Sequence, residues 1–205
     1  MALLEAFLPD IQSEVDGCPV PRILSAVVSV AADFCEQTLL FQYTGEPITV
    51  SPTTMYYDIP LPSEEVRVAQ VISAILNDRE LEPVPMDEAH RMRTSHGFLQ
   101  VSPATIQLLI PTPVEEMVDA LVIKTAVAPV FGASELDDDL YNRWFDVVCA
   151  GVKAQLMNMP KKTWTNPALA AFYDNQYKIG VNKALVMTNK GSTRAELRVK
   201  PRRFA

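Results

Sequence analysis

The chain has 205 residues, of which 48% are hydrophobic and 21% charged, with 16 prolines and only 7 glycines. That is enough for one good-sized domain or two small ones, and the apolar share excludes global disorder. Eighteen Lys and Arg against 25 Asp and Glu leave a net charge of −7, which argues against a general binder of duplex DNA, where cationic side chains drive phosphate contact.

Met1–Glu5 carries no basic segment ahead of an apolar run, so no secretory signal is expected. Residues 2–17 read as one or two short helices broken at Pro9. Pro19 and Pro21 then open a stronger helix, since first-turn N–H groups have no helical partner to lose. Within it Ile23, Leu24, Val27, Val30, Ala31, Phe34 and Cys35 fall on one stripe of helical period, and the helix should end near Thr38. The uncharged run Ile23–Ala32 is too short to span a bilayer, and no membrane role is expected. Cys18, Cys35 and Cys149 make an odd count without a C-x-x-C, which speaks against a disulfide scaffold or a zinc ribbon and fits synthesis in a reducing cytoplasm.

From residue 39 to 130 the texture changes. Prolines recur, and the short segments between them alternate or are β-branched: Met55–Ile59, Val66–Val71, Phe98–Val101 and Ile106–Ile110. These read as a small antiparallel β module. Leu121, Ile123, Thr125 and Val127 alternate as a last strand, although Glu115, Met117 and Leu121 also fit a helical period.

Residues 131–190 read as helical. Ser134 is the expected N-cap, with Asp137, Asp138 and Asp139 in the first turn, where carboxylates suit the helix dipole. Leu136, Leu140, Trp144, Val147, Val148 and Gly151 form one apolar stripe, and Tyr141, Phe145, Cys149, Val152 and Leu156 a second beside it. Two stripes are wider than one neighbour needs, so a further contact is expected there. After Pro160, Asn166 caps and Pro167 starts a helix to about Asn189, with Leu169, Phe172, Tyr173, Tyr177, Gly180, Val181, Ala184 and Leu185 on one side. The expected fold class is α+β: a helical bundle, made of the N-terminal helix (1–38) and two long antiparallel C-terminal helices (131–190), with an inserted antiparallel β module (39–130) and an extended tail (191–205).

The charge is unevenly spread. Residues 190–205 hold six basic side chains and one acid, while the other 189 residues hold 12 basic and 24 acidic ones. An acidic body therefore carries a basic tail, of the kind that docks on an acidic surface. In that tail Arg194, Arg198 and Lys200 alternate with Leu197 and Val199, a pattern suited to adding a strand to a partner; disorder of the free terminus is the alternative, and both can hold.

Signals of chemistry are sparse. The glycines at 17, 45, 97, 132, 151, 180 and 191 form no phosphate-binding loop, so no nucleotide cofactor is expected. His90 and His96 lack the spacing that places two imidazoles on one helix face for zinc, and read as loop residues. Three consecutive aspartates on a helix point about 100° apart and cannot converge on one ion. Glu64–Glu65 and Glu115–Glu116 read as solvent faces. No catalytic, metal or cofactor residue is assigned, and no enzymatic activity is expected.

Several stretches carry a family resemblance. Ala128-Pro129, Ser134-x-Leu136, Asp139-Leu140, Gly151 to Leu156, Pro160-x-x-x-Trp164-x-Asn166-Pro167-x-Leu169-Ala170 and Tyr173 resemble the C-terminal half of tailed-bacteriophage head-to-tail adaptor (connector) proteins. Leu197-Arg198-Val199-x-Pro201-Arg202-x-Phe204-Ala205 is similar to their terminal tail, and Phe7-Leu8-Pro9-x-Ile11 through the Pro21 helix to their opening segment. These cover about half of the chain; the β module shows no assignable motif.

The resemblance implies a structural protein of the virion neck, made in the host cytoplasm. It would form a homo-oligomeric ring, usually of twelve copies, that joins the portal protein to tail or collar proteins and continues the channel for DNA ejection. Portal binding would fall to Arg194, Leu197, Arg198, Val199, Lys200, Arg202, Arg203 and Phe204. Subunit contacts would use the second stripe, at Tyr141, Phe145, Val152 and Leu156. DNA would pass without specific binding, since an acidic wall repels phosphate. The alternatives are a tail-side ring component (tail terminator or collar) and a DNA-packaging factor using the basic tail.

Overall fold

The computed structural model describes residues 2–87, 96–110, 113 and 115–190. The N-terminal segment does not break at Pro9. Strand β1 (Ala2–Leu3) leads through a 3-10 turn at Leu4–Phe7 into helix α1 (Leu8–Gln12), whose first turn takes Pro9 without loss of a hydrogen bond. Phe7, Ile11 and Val15 point inward and are closed to solvent. Pro19 and Pro21 flank the start of α2 (Val20–Thr38), and the Thr38 hydroxyl donates to the Phe34 carbonyl at 2.7 Å in its last turn. Leu39 ends the helix in a left-handed conformation.

The strands that follow are β2 (Gln42–Thr44), β3 (Ile48–Val50), β4 (Tyr56–Asp58), β5 (Val66–Leu76), β6 (Arg79–Glu80), β7 (Glu82–Pro83), β8 (Gly97–Ser102), β9 (Thr105–Leu109), β10 (Met117–Pro129) and β11 (Glu135–Leu136). They precede α3 (Asp138–Met157) and α4 (Pro167–Lys190). One sheet runs β2-β10-β5-β6, with β3 also paired to β10; the other runs β4-β9-β8-β7. Strands β1 and β11 pair separately, and the one parallel pairing among the described residues is β7 with β8.

The expected helical bundle with a small inserted β module is therefore corrected. Among the described residues four α-helices stand against eleven strands, nine of them in two sheets, one curled into a half-barrel, so by its elements the chain is mainly β. The reason lies in β5 and β10, of 11 and 13 residues, which are long strands with an interrupted period. Opposite β10, strand β5 carries an extra residue at Ile72 and another at Ala69. Each bulge steps the buried positions by three instead of two, so Val68, Val71, Ala74 and Leu76 all face the core. A bulge also raises local twist and bends its strand, which is how a sheet curls. On the other edge the register against β3 slips by two residues across Val118–Asp119, where Asp119 has φ +50° and its N–H donates to the Thr49 hydroxyl.

Two large apolar cores result, beside a small cluster of Val84, Leu99 and Leu109. The first lies between the two sheets, where Val50, Tyr57, Leu81, Phe98, Ile106, Leu108, Leu121 and Ile123 meet. The second joins α2, α3, α4 and the N-terminal segment, with Ala128 of β10 and Leu136 of β11 in it. Strand β10 thus feeds both.

The helices form a layer beside the half-barrel. Gly151 on α3 would meet Tyr177 of α4, and Gly180 on α4 would meet Val147 of α3, the matching pattern of an antiparallel pair. Residue 134 is not a helix cap. Asp137 takes that place, its carboxylate accepting from the Asp139 N–H at 2.8 Å. Asn166 caps α4 by accepting from the Leu169 N–H at 3.2 Å.

A Cβ on Gly151 would stand 2.6 Å from Val30 Cγ1 and 2.8 Å from the Tyr177 ring. Alanine ordinarily gains about 1 kcal/mol over glycine inside a helix. Here overpacking of three helices, at about 1–3 kcal/mol, should win. Gly151→Ala is expected to lower the urea midpoint with an unchanged slope; a raised midpoint would show that the helices can part cheaply.

Candidate functional site

The outer face of α2 borders a groove of about 570 Å³ between α2, α3 and α4, whose lining includes Asp33, Gly151, Ala154, Asn158, Ala170 and Tyr177. Small residues keep its floor low. The Tyr177 hydroxyl donates to the Asp33 carboxylate at 2.7 Å, and Gln37 donates to the same carboxylate at 2.8 Å. Burial, then the Asp33 contact, push the Tyr177 hydroxyl up, so it stays protonated and keeps donating. A second recess of about 300 Å³ shares Ser29 and Asp33 with the groove and runs to Val28, Ala32, Glu36, Arg67 and Phe131. Arg67 pairs there with Glu36 at 2.5 Å, both half-exposed, a pair worth little to stability. Three carboxylates, Asp33, Glu36 and Asp174, lie along this trough, and Asp174 is paired with Lys178 at 2.6 Å.

The groups with catalytic potential are differently employed. Burial above all pushes the Cys35 and Cys149 thiols up, and the Asp137 charge adds to it for Cys35 and the Asp10 charge for Cys149; both stay thiols at neutral pH and are poor nucleophiles. Lys153, its side chain 9% exposed, bonds Asp10 at 2.8 Å and lies 5.3 Å from the Tyr173 ring centroid. Burial pulls its pKa down, but the bond to Asp10 and nearby negative charge more than offset this and leave it raised. It is a charged strut between α1 and α3. Among the described residues no three His, Cys, Asp or Glu side chains could hold a metal ion, and no helix is long and apolar enough to cross a membrane. His96 is exposed, and His90 lies outside the described residues.

The four α3 residues expected at a subunit interface separate. Val152 and Leu156 are 0% exposed inside this chain's own core. Phe145 is half-buried, with its ring stacked on Phe7 at 5.2 Å, and Phe7 also meets Tyr141 edge-on at 5.5 Å. Of the four, only Tyr141 remains exposed. The N-terminal segment lies on the start of this stripe, with Phe7 against Tyr141 and Phe145. Arg194, Leu197, Arg198, Val199, Lys200, Arg202, Arg203 and Phe204 lie outside the described residues.

Of the stripe expected on α4, Leu169 and Phe172 lie off the packed side and are exposed, and sequence reasoning missed Phe131, Ile179 and Val186. Phe131 is 88% exposed on the turn after β10. On α4, Phe172, Ile179 and Val186 are 55%, 61% and 47% exposed, at seven-residue intervals. That spacing was visible beside the stripe formed by Tyr177, Gly180, Val181 and Ala184. Glu65, read as a solvent-facing acid, is also more than that: its carboxylate accepts from the Ser134 hydroxyl at 2.6 Å and from the Ser134 and Glu135 N–H groups at 3.1 and 3.0 Å. It ties the start of β5 to β11.

Compared with known proteins, the chain matches no family model and no curated protein.

The Ser134 hydroxyl bond first, then the Glu135 N–H, hold the Glu65 carboxyl below the usual carboxylate range. A depressed carboxyl stabilises the fold above its unfolded value, about 4.3, and that contribution is lost as pH falls through the lower folded value. Glu65→Gln should therefore melt below wild type at neutral pH, with the gap closing on acidification. A gap that is constant with pH would contradict the assignment.

Proposed function

We propose that this chain is a structural protein of the phage neck, one subunit of a ring that joins the portal to the tail and continues the DNA channel. The observation that carries the reading is the placement of its exposed apolar side chains. Leu169, Phe172, Ile179 and Val186 line one outer face of α4, and Phe131 stands out on a turn, as suits a chain that works by contact with other chains. The resemblance to adaptor proteins supplies the kind of assembly, and it runs through α3 and α4 and the residues that join them.

Charge supports the same reading. Outside residues 190–205 the chain carries 12 basic and 24 acidic side chains, a body that phosphate would slide past and not adhere to. The basic residues of 191–205 would hook an acidic surface of the portal, with Leu197, Val199 and Phe204 adding apolar contact. Copy number, portal contact and position in the virion are parts of this proposal and rest on the resemblance.

Deleting residues 192–205 should leave the melting temperature unchanged within a few degrees and abolish attachment to portal-bearing heads in a co-sedimentation assay. Full occupancy by the truncated chain would refute portal docking by the tail. Sub-micromolar duplex binding that weakens steeply with salt would favour a packaging factor instead.

A further inference from the structure

The outer face of α4 has a defined composition. Phe172, Ile179 and Val186 repeat every seven residues, so along the helix they stand about 10 Å apart on nearly one line. Gln176 and Lys183 lie on the same face, both exposed, and no carboxylate does. The opposite side of α4, with Tyr177, Val181 and Ala184, is packed into the helical core, and Tyr177 there reaches Asp33 on α2. The seam therefore points away from α2 and leaves the molecule unpartnered.

A surface of matching character lies elsewhere on the same chain. The recess over α2 has Val28, Ala32 and Pro129 as its apolar lining and Phe131 at its edge; of its charged groups Glu36 is paired with Arg67, and the exposed Asp33 carboxylate, which accepts from Tyr177 and Gln37, has no cation on it among the described residues. Phe131 is 88% exposed, and next to it Gly132, at φ +98°, has open space where a Cβ would point. The turn projects. An apolar seam carrying a lysine and an apolar recess whose charges sum to one negative, left on Asp33, are complementary, and they sit on different faces, so one chain cannot bring them together.

We propose that a second copy of this chain is the partner: the α4 seam of one copy packs into the α2 recess of the next, with Ile179 against Phe131 and Lys183 facing Asp33. The contact is heterologous, and repeated it yields a ring if the rotation closes. Seam against seam would instead give Lys183 no acid to face, since that side of α4 carries none, and would leave Phe131 in water. This deepens the ring reading above and rests on it for closure, though not for the pairing itself.

The test is cross-linking between singly substituted full-length chains, Phe131→Cys and Ile179→Cys; the native cysteines are all buried. Mixed under mild oxidation, the two should form a disulfide-linked dimer, while either alone stays monomeric on a non-reducing gel. Ile179→Asp should weaken self-association in sedimentation velocity at least tenfold with an unchanged circular dichroism spectrum. A dimer from Ile179→Cys alone would mean seam against seam and overturn the proposal, as would no cross-link in the mixture. Rings seen on wild-type particles without the mixed cross-link would refute this contact and leave the neck reading standing. The mixed cross-link in a protein that is absent from virions would do the reverse.

Discussion

The structure depends on one strand serving two cores. β10 is hydrogen-bonded along one side to β2 and β3 and along the other to β5, so its backbone groups are satisfied in a single long ladder. Its first half delivers Leu121 and Ile123 to the core between the sheets, and its second half delivers Ala128 to the core beneath the helices. A straight, evenly alternating strand would keep one face for its whole length. Thr125 and Ala126 are instead both buried, and the inward phase changes there, opposite the bulges of β5. The bulges thus convert one sheet into a curled wall and hand the strand from one core to the other.

The remaining connections reinforce this joint. Glu65, at the foot of β5, bonds Ser134 and Glu135 just before α3, and β11 there pairs with β1. The N-terminal segment then lies across α3, with Phe7 and Ile11 closed to solvent and Asp10 neutralising Lys153. A lysine so enclosed is tolerated because its charge is paired; removing Asp10 alone would strand it. The result is a body in which helices and sheets cannot shift independently, with its exposed apolar side chains held on fixed elements. Such a body suits a role exercised through shape and contact, and it presents the α4 seam and the Phe131 turn on separate faces.

Legibility from sequence varied with how local the physical cause was. The prolines at 19, 21 and 167 and the cap at Asn166 act within one helical turn, so the starts of α2 and α4 could be read. Strands β6 and β7 are two residues long and polar or proline-bearing, and nothing local marks them; they exist because a neighbour supplies the ladder. β5 looked like a short strand because its bulges break the period at residues 69 and 72, and that break is a property of pairing with β10. The mistaken cap at residue 134 has a similar origin: Ser134 has the right chemistry for a cap, but Glu65, distant in sequence, takes it up. The second α3 stripe was legible as apolar, yet sequence could not say that Phe7 would lie on its start, and it was assigned to a neighbouring subunit. On α4 apolar residues lie on both sides, so Leu169 and Phe172 fit the stripe of Tyr177 and Val181 by spacing while the structure sets them with Ile179 and Val186 on the exposed side.

Native-state hydrogen exchange tests the shared-strand account most directly. If β10 couples the two cores, the amides of Leu121–Ala128 and those of the buried turns of α2 and α3 should exchange only through global unfolding, with the same free energy and the same denaturant slope. If the amides of β10 and β5 instead open at a distinctly lower free energy while the helices stay protected, the cores are separate units and the account is contradicted.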